Sequence, residues 1–279
     1  MKPLSQTRQV LFSADDFGMS VEINEAIEKA HLNGILSTTS LMVAGPAAED
    51  AIARAKKLPN LKIGLHLVVI EGESLLHLPA ITDEKGWFGG NGVQLGFNYF
   101  FNGKARKALH CEIAAQFKKF HETGLHLDHA NAHKHMHLHP LVGQYLLKEG
   151  PKYGLKAVRI PNEPLKILGE KPRISATILQ NWTKILRCQI QKAGMTTTDY
   201  CFGIEWSGKF TKERLRFLLP RLPKGSSEIY FHPATSQNER LQKLMPAYAQ
   251  EEELQTLLDP KIPDLLSKEH ITPIHWQNL

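Results

Sequence analysis

The chain has 279 residues, of which 42% are hydrophobic and 22% charged, a globular composition that argues against a disordered or low-complexity protein. No stretch approaches the ~20 consecutive apolar residues needed to span a bilayer, and the start MKPLSQTRQV has no apolar segment long enough for a signal peptide. The formal net charge is +6, but lysine and arginine are spread along the chain with no recognition motif beside them, so a nucleic-acid partner is not expected, whereas attraction to an anionic surface is allowed.

Strand and helix signals then alternate from end to end. QVLFSA (9–14) is a β-rich run, and Ser20 caps a predicted helix whose apolar positions Ile23, Ala26, Ile27 and Ala30 recur at helical spacing until Gly34 stops it. ILSTTSLMVAG (35–45) predicts a strand, and PAAEDAIARAKKL (46–58) a helix with Pro46 at its start. LKIGLHLVV (61–69) predicts a third strand. Residues 71–103 are rich in glycine and aromatic pairs and lack a clear period, which predicts a long loop or lid. Leu109, Ile113, Phe117 and Phe120 form a helical stripe ended by Gly124. Strands near 125–131 and 155–160 bracket another helix. Ile178, Trp182, Ile185 and Cys188 or Gln189 mark a longer helix ended by Gly194, and EIYFHPA (228–234) and ITPIHW (271–276) are late strands.

Repeated strand-then-helix units imply a parallel sheet, because parallel neighbours need a crossover. The expected fold is therefore α/β: an irregular, TIM-barrel-like (β/α) barrel of roughly seven or eight parallel strands. It is expected to be one domain over residues 1–279, with the lid at about 71–103. Three widely spaced cysteines, Cys111, Cys188 and Cys201, make no CxxC motif and leave an odd thiol, which fits a reducing, cytoplasmic compartment.

In such a barrel the chemistry sits at the C-terminal ends of the strands. The first predicted strand ends in Asp15-Asp16 and the third carries His66. The next leads into Asp128, His129, Asn131 and His133, the 155–160 strand ends at Arg159, and a late strand ends at His232-Pro233. Adjacent carboxylates repel each other. A metal relieves this by binding one and leaving the other as a base, although Asp15 could instead cap the following helix. A lone histidine in an apolar strand, such as His66, is more often a hydrogen-bonded core residue than a ligand. Asp plus two His is nevertheless a recognised metal environment with open positions.

The stretch LDHANAHKHMHLHP (127–140) places histidines at 129, 133, 135, 137 and 139. Were it one strand, same-face side chains would stand ~6.6 Å apart, while Zn–N bonds are ~2.0–2.1 Å. One histidine of the row, or two, can therefore ligate a given ion, and the others must line a pocket, orient neighbours or face solvent.

Together SADDFGMS, IGLHL, HANAHKHMHLHP, VRIPNE and EIYFHPA resemble the YdjC-like carbohydrate deacetylase family, in order and across most of the chain. NAHKHMHLHP most resembles the family's hopanoid-biosynthesis-associated branch, HpnK. The resemblance implies an irregular (β/α) barrel with one divalent metal ion, Mg2+ or Zn2+. It implies Asp16, His66 and His133 as metal ligands, Asp15 as catalytic base, His232 as acid and Arg159 beside the base. The family usually reads H-x-D-x-H-x-H before the proline, and this chain has Asn131 where that aspartate falls. Counting back from Pro140 selects His133 as the third ligand; counting forward from Asp128 selects His129. The Pro140 anchor keeps HKHMHLHP ungapped and is preferred.

The implied reaction is hydrolytic removal of an acetyl group from an N-acetylated amino sugar. In the hopanoid branch the substrate would be the N-acetylglucosaminyl group of a glycolipid, met at the inner membrane surface, with peripheral membrane contact and a homodimer as admitted partners. The competing classes are a barrel metal hydrolase of another substrate and a non-catalytic carbohydrate- or metal-binding protein. A pure binder would have no need of Asp15 beside Asp16, nor of His232.

Overall fold

A computed structural model of the protein describes residues 7–171 and 174–279. The first residues of MKPLSQTRQV (1–6) and the side chain of Ile178 lie outside the described residues. The chain runs β1 (Arg8–Phe17), α1 (Val21–Asn33), β2 (Thr38–Leu41), α2 (Ala48–Ala55), β3 (Lys62–Leu67), α3 (Gly92–Phe101), α4 (Gly103–Glu122), β4 (Ala130–Ala132), α5 (Pro140–Glu149), α6 (Ile174–Lys192), β5 (Tyr200–Phe202), α7 (Lys212–Leu218), β6 (Gly225–Phe231), α8 (Glu239–Leu244), α9 (Gln250–Leu257), α10 (Lys261–Lys268) and β7 (Ile271–Pro273). Among the described residues these strands pair only in parallel. The order is β4-β3-β2-β1-β6-β5, and β7 also pairs with β1.

The sheet curls until its two ends are bridged by a segment that is not itself a regular strand. Val158 bridges to Ala130 of β4 and Ala157 bridges to Thr196 just before β5, and the Cys201 amide donates to the Asn162 carbonyl at 3.0 Å. The expected strand at 155–160 is thus reduced to single bridges. Pro161 lacks an amide hydrogen, which limits how far a ladder can continue there. The protein is an irregular α/β barrel built on a parallel sheet, its apolar interior running from Val10 and Phe12 through Leu65 and Phe117 to Phe231.

Most predicted elements are present with trimmed ends. Ser20 caps α1, its hydroxyl accepting from the Ile23 amide. The second strand is confined to Thr38–Leu41, and α2 begins at Ala48 rather than at Pro46. The expected loop at 71–103 differs more, because its last third is the helix α3. Its two faces are both apolar: Tyr99 is buried, while Phe97 and Phe101 face outward. No polar–apolar alternation therefore marks it in the sequence. Among the described residues no helix is long and apolar enough to cross a membrane.

Candidate metal centre and active site

Asp15 and Asp16 are consecutive, so a regular strand would point them to opposite faces. The β1–β2 register slips between Ala14 and Phe17, and Asp16 adopts φ +65°. This bulge brings both carboxylates to one cavity. A left-handed backbone at a non-glycine residue costs roughly 1–2 kcal/mol, and such strain collects at functional sites. Gly18 closes the turn at φ +97° with the Met42 carbonyl 2.9 Å from where a Cβ would stand, so no side chain fits there.

Asp16 meets His66 from β3 and His133 from the loop after β4. Asp16 Oδ1 lies 3.2 Å from His66 Nε2 and 3.1 Å from His133 Nδ1, and the two ring nitrogens are 3.4 Å apart. All three residues are buried and offer donor atoms within 4.8 Å of one another. The second oxygen of Asp16 is buried without a partner. Burial alone would raise the Asp16 pKa, but His133 and His66 hold it well below the usual carboxylate range. Burial would lower that of His66, yet Asp15 and Asp16 raise it, which means that Nε2 faces a site that attracts a cation. Two imidazoles and one carboxylate from three separate segments, with an orphaned oxygen among them, fit one divalent ion and leave room around it for water and substrate.

Asp15 stands beside this cluster in a different setting. Arg159 reaches it twice, at 2.5 Å to Oδ2 and 2.8 Å to Oδ1, and also donates to Ser13 Oγ at 3.1 Å and to Glu228 Oε1 at 2.7 Å. Its guanidinium lies 4.5 Å from the centre of the Tyr230 ring. Arg159 is fully buried and carries one positive charge between two carboxylates. Burial would raise the pKa of Asp15, but Arg159, with His66 and His232 helping, keeps it ionised far below the usual range.

Asn131 joins the two halves. Its amide nitrogen donates to Asp15 Oδ1 at 3.0 Å, so its oxygen faces His66 Nδ1 at 2.7 Å and accepts the proton there. Ser40 donates to Asp15 Oδ1 at 3.1 Å and lies 3.0 Å from the same His66 nitrogen. With the proton held on Nδ1, Nε2 is left free to bind a cation.

The five histidines go to five places, because the row leaves its strand at Ala132 and coils through 133–138 with Lys134 and His135 both left-handed. His133 joins Asp16 and His66. His135 Nε2 is 3.0 Å from the Tyr230 hydroxyl, His137 Nε2 donates to the Arg159 carbonyl at 3.1 Å, and His139 Nε2 donates to the Gly96 carbonyl at 3.1 Å. His129 sits one layer lower in the barrel. It bonds Asp128 at 3.2 Å and stacks on Trp276 with centroids 5.0 Å apart. Its ring occupies the space a side chain at Gly64 would fill, 2.4 Å from that Cβ position. The forward count to His129 thus leads away from Asp16, and the count back from Pro140 leads to it.

The cavity has a volume of about 350 Å3 and is lined by Asp15, Asp16, His133 and His232. Ile204 and the stretch from Leu244 to Ala247 add an apolar part to the same lining. The amide of His232 donates to Glu253 Oε2 at 2.5 Å, its Nδ1 has no partner, and burial pushes its pKa down. Ser40, Glu228, Tyr230 and Glu253 were not singled out from the sequence. Two of them carried a signal: in EIYFH the residues 228, 230 and 232 alternate onto one face, so Glu228 and Tyr230 follow His232 into the barrel.

The comparisons with known proteins agree with this architecture. A carbohydrate deacetylase from Vibrio cholerae serotype O1 (strain M66-2) is 36% identical over 165 residues, 58% of this chain and 61% of the relative, so the match spans about three-fifths of that protein. One from Geobacillus stearothermophilus is 29% identical over 228 residues, 81% of this chain and 80% of the relative. A crystal structure from Enterococcus faecalis V583, named for cellobiose-phosphate cleavage, superposes with a TM-score of 0.76 at 21% identity, covering 98% of this chain and 99% of that one. That likeness carries the fold. The profile of the YdjC-like protein family matches residues 9–268, and the chain belongs to that family.

Proposed function

We propose that the protein is a carbohydrate N-deacetylase that hydrolyses the acetamide of an amino sugar with the help of one divalent metal ion. The observation that carries this reading is the convergence of Asp16, His66 and His133 beside a second carboxylate, Asp15, which takes no part in that cluster and is clamped by Arg159. The relatives named carbohydrate deacetylase supply the substrate class.

Asp16, His66 and His133 would hold the ion, which when bound polarises a carbonyl and makes water more acidic. Asp15 then acts as base. Arg159 keeps this carboxylate ionised and so able to accept a proton, and a weak base of this kind would suit a water that a bound cation had made more acidic. Arg159 and Asn131 fix the direction of both Asp15 oxygens. His232, on the cavity wall, is kept neutral by burial; it would take up the proton that Asp15 removes from water and pass it to the departing amine, which leaves Asp15 ionised again. Acetate and a free amino sugar leave.

The finer substrate reading is the N-acetylglucosaminyl group of a hopanoid glycolipid, met at the cytoplasmic membrane surface. It is supported by the NAHKHMHLHP run and by the apolar part of the lining at Leu244–Ala247, which suits an apolar aglycone. The test is acetate release from chitobiose and from a glycosyl-hopanoid by protein purified without a metal-binding tag, with elemental analysis for Zn and Mg. Acetate from either substrate supports the deacetylase. A strong preference for the lipid supports the finer reading, and equal rates remove it. Phosphate or ammonia release from other substrates, with no acetate, would overturn both.

A further inference from the structure

The inner side of α3 is tied down. Tyr99 donates its hydroxyl to the Val69 carbonyl at 2.6 Å, the Asn98 amide donates to the Ala80 carbonyl at 3.0 Å, and Gly96 receives His139 from the histidine loop. Among the described residues the outer side is left exposed. Val93, Phe97, Phe100 and Phe101 recur at i, i+4, i+7 and i+8, one face of a helix. Val93 is 72% exposed, Phe97 60% and Phe101 72%. The phenylalanines form one cluster, with Phe97 and Phe101 stacked at 5.7 Å and Phe100 edge-on to Phe101 at 5.0 Å. A contiguous exposed aromatic patch marks an interaction site rather than ordinary surface.

Its border is basic. Asn102 ends α3 and caps α4, whose first residues include the exposed Lys104, Arg106 and Lys107. Arg106 donates to the Phe100 carbonyl, which sets its guanidinium at the end of the aromatic face. No aspartate or glutamate occurs between Lys85 and Glu112, and among the described residues none of the three cations has a carboxylate within ion-pair distance. We infer that the outer face of α3, with the basic start of α4, docks the protein on an anionic lipid bilayer. Phenylalanine side chains enter the boundary between headgroups and acyl chains while lysine and arginine meet lipid phosphates. A second copy of the chain is the poorer occupant. A two-fold contact sets a patch against itself, which would press these cations together with no acid in the segment to meet them.

Docking here sets the cavity beside the membrane. Glu71 lines the cavity and its amide donates to the Gly89 carbonyl at 3.2 Å, two residues before the cap of α3 at Asn91. The inference does not depend on the deacetylase reading, because its test reads binding and not turnover.

The full chain is sedimented with vesicles of phosphatidylcholine alone and of phosphatidylcholine with about a third phosphatidylglycerol. The wild type should partition at least ~10-fold better onto the anionic vesicles, and salt should weaken this. F97S/F101S and K104E/K107E should each lower that partition at least ~10-fold, with wild-type circular dichroism and melting temperature. Acids at the start of α4 also suit the helix dipole, so K104E/K107E should fold. Equal binding to both vesicles, no binding to either, or wild-type partition by both folded variants would overturn the inference. So would a wild-type dimer, seen by light scattering, that F97S/F101S converts to monomer.

Discussion

Asn131 donates its amide hydrogen to Asp15 Oδ1 at 3.0 Å, while its oxygen faces His66 Nδ1 at 2.7 Å. One side chain therefore orients the proposed base and fixes the ring of a proposed ligand. Asn131→Ala should weaken metal binding roughly 10- to 100-fold, the usual cost of losing a group that orients a ligand, and should lower turnover as well. Asn131→Asp, the residue the family usually has here, keeps an acceptor for His66 but sets a second carboxylate beside Asp15. It should retain metal and move the acid limb of the pH–rate profile upward, since a like charge raises a carboxylate pKa. Metal titration and a pH–rate profile distinguish the two variants; equal metal affinity in Asn131→Ala and wild type would refute the orienting role.

Asp15→Asn should leave the metal bound, because Asp15 is not among the three converging donors. Turnover should fall by about 10^2- to 10^4-fold, the range for losing a general base. Near-normal turnover in a metal-loaded Asp15→Asn protein would remove Asp15 from the reaction.

The histidine row should separate under alanine substitution. His133→Ala should lose metal and activity together. His137→Ala and His139→Ala should keep the metal, since their bonds go to the carbonyls of Arg159 and Gly96. His129→Ala should also keep it while lowering the melting temperature, because it removes the ring packed on Trp276. Metal content by elemental analysis decides this, and a metal-free His129→Ala beside a metal-loaded His133→Ala would reverse the ligand assignment.

Glu228 is the second carboxylate on Arg159 and shares one of its terminal nitrogens with Asp15. Glu228 and Arg159 are both fully buried, and breaking one side of a buried ion pair costs about 3–5 kcal/mol. Glu228→Ala should therefore destabilise the fold by several kcal/mol in denaturant titration, and Glu228→Gln, which keeps an acceptor for Arg159, by less. Equal stability of Glu228→Ala and wild type would show that Arg159 is satisfied without it.

Acid should destabilise the protein through its neutral histidines. Burial, aided by the Arg159 charge, pushes the His137 pKa down to about 3, and burial lowers those of His135 and His232 as well. Folded chains thus bind fewer protons than unfolded ones between the ordinary histidine pKa of ~6.5 and the depressed value. The stabilisation is present in full above that ordinary value and is lost as pH falls towards about 3. Urea midpoints measured from pH 7 downward should fall for the wild type and fall less steeply for His137→Gln. Parallel curves would show that His137 titrates normally.

Much of this protein was legible in its sequence. Hydrophobic runs alternating with helical stripes gave a parallel α/β fold, because parallel strands need crossovers. The ends of those runs marked Asp15, Asp16, His66, Arg159 and His232, because barrel chemistry gathers at strand ends. The strict two-residue period of EIYFH could also have sent Glu228 and Tyr230 inward with His232. Other features depended on contacts between residues far apart in the chain. The helix α3 was hidden because its outer face is as apolar as its inner one. Asp15 and Asp16 share a cavity only because β1 slips against β2 and Asp16 turns left-handed, a bulge that no periodicity announces. The division of the histidine row depends on where the chain leaves β4: above that point a backbone coiled through Lys134 and His135 sends each ring to a different partner, and below it His129 remains in the barrel against Gly64 and Trp276. Residue type and spacing determine which groups can bind a cation, but a donor set is defined by distances of a few ångströms, and those are decided only when separate strands pair.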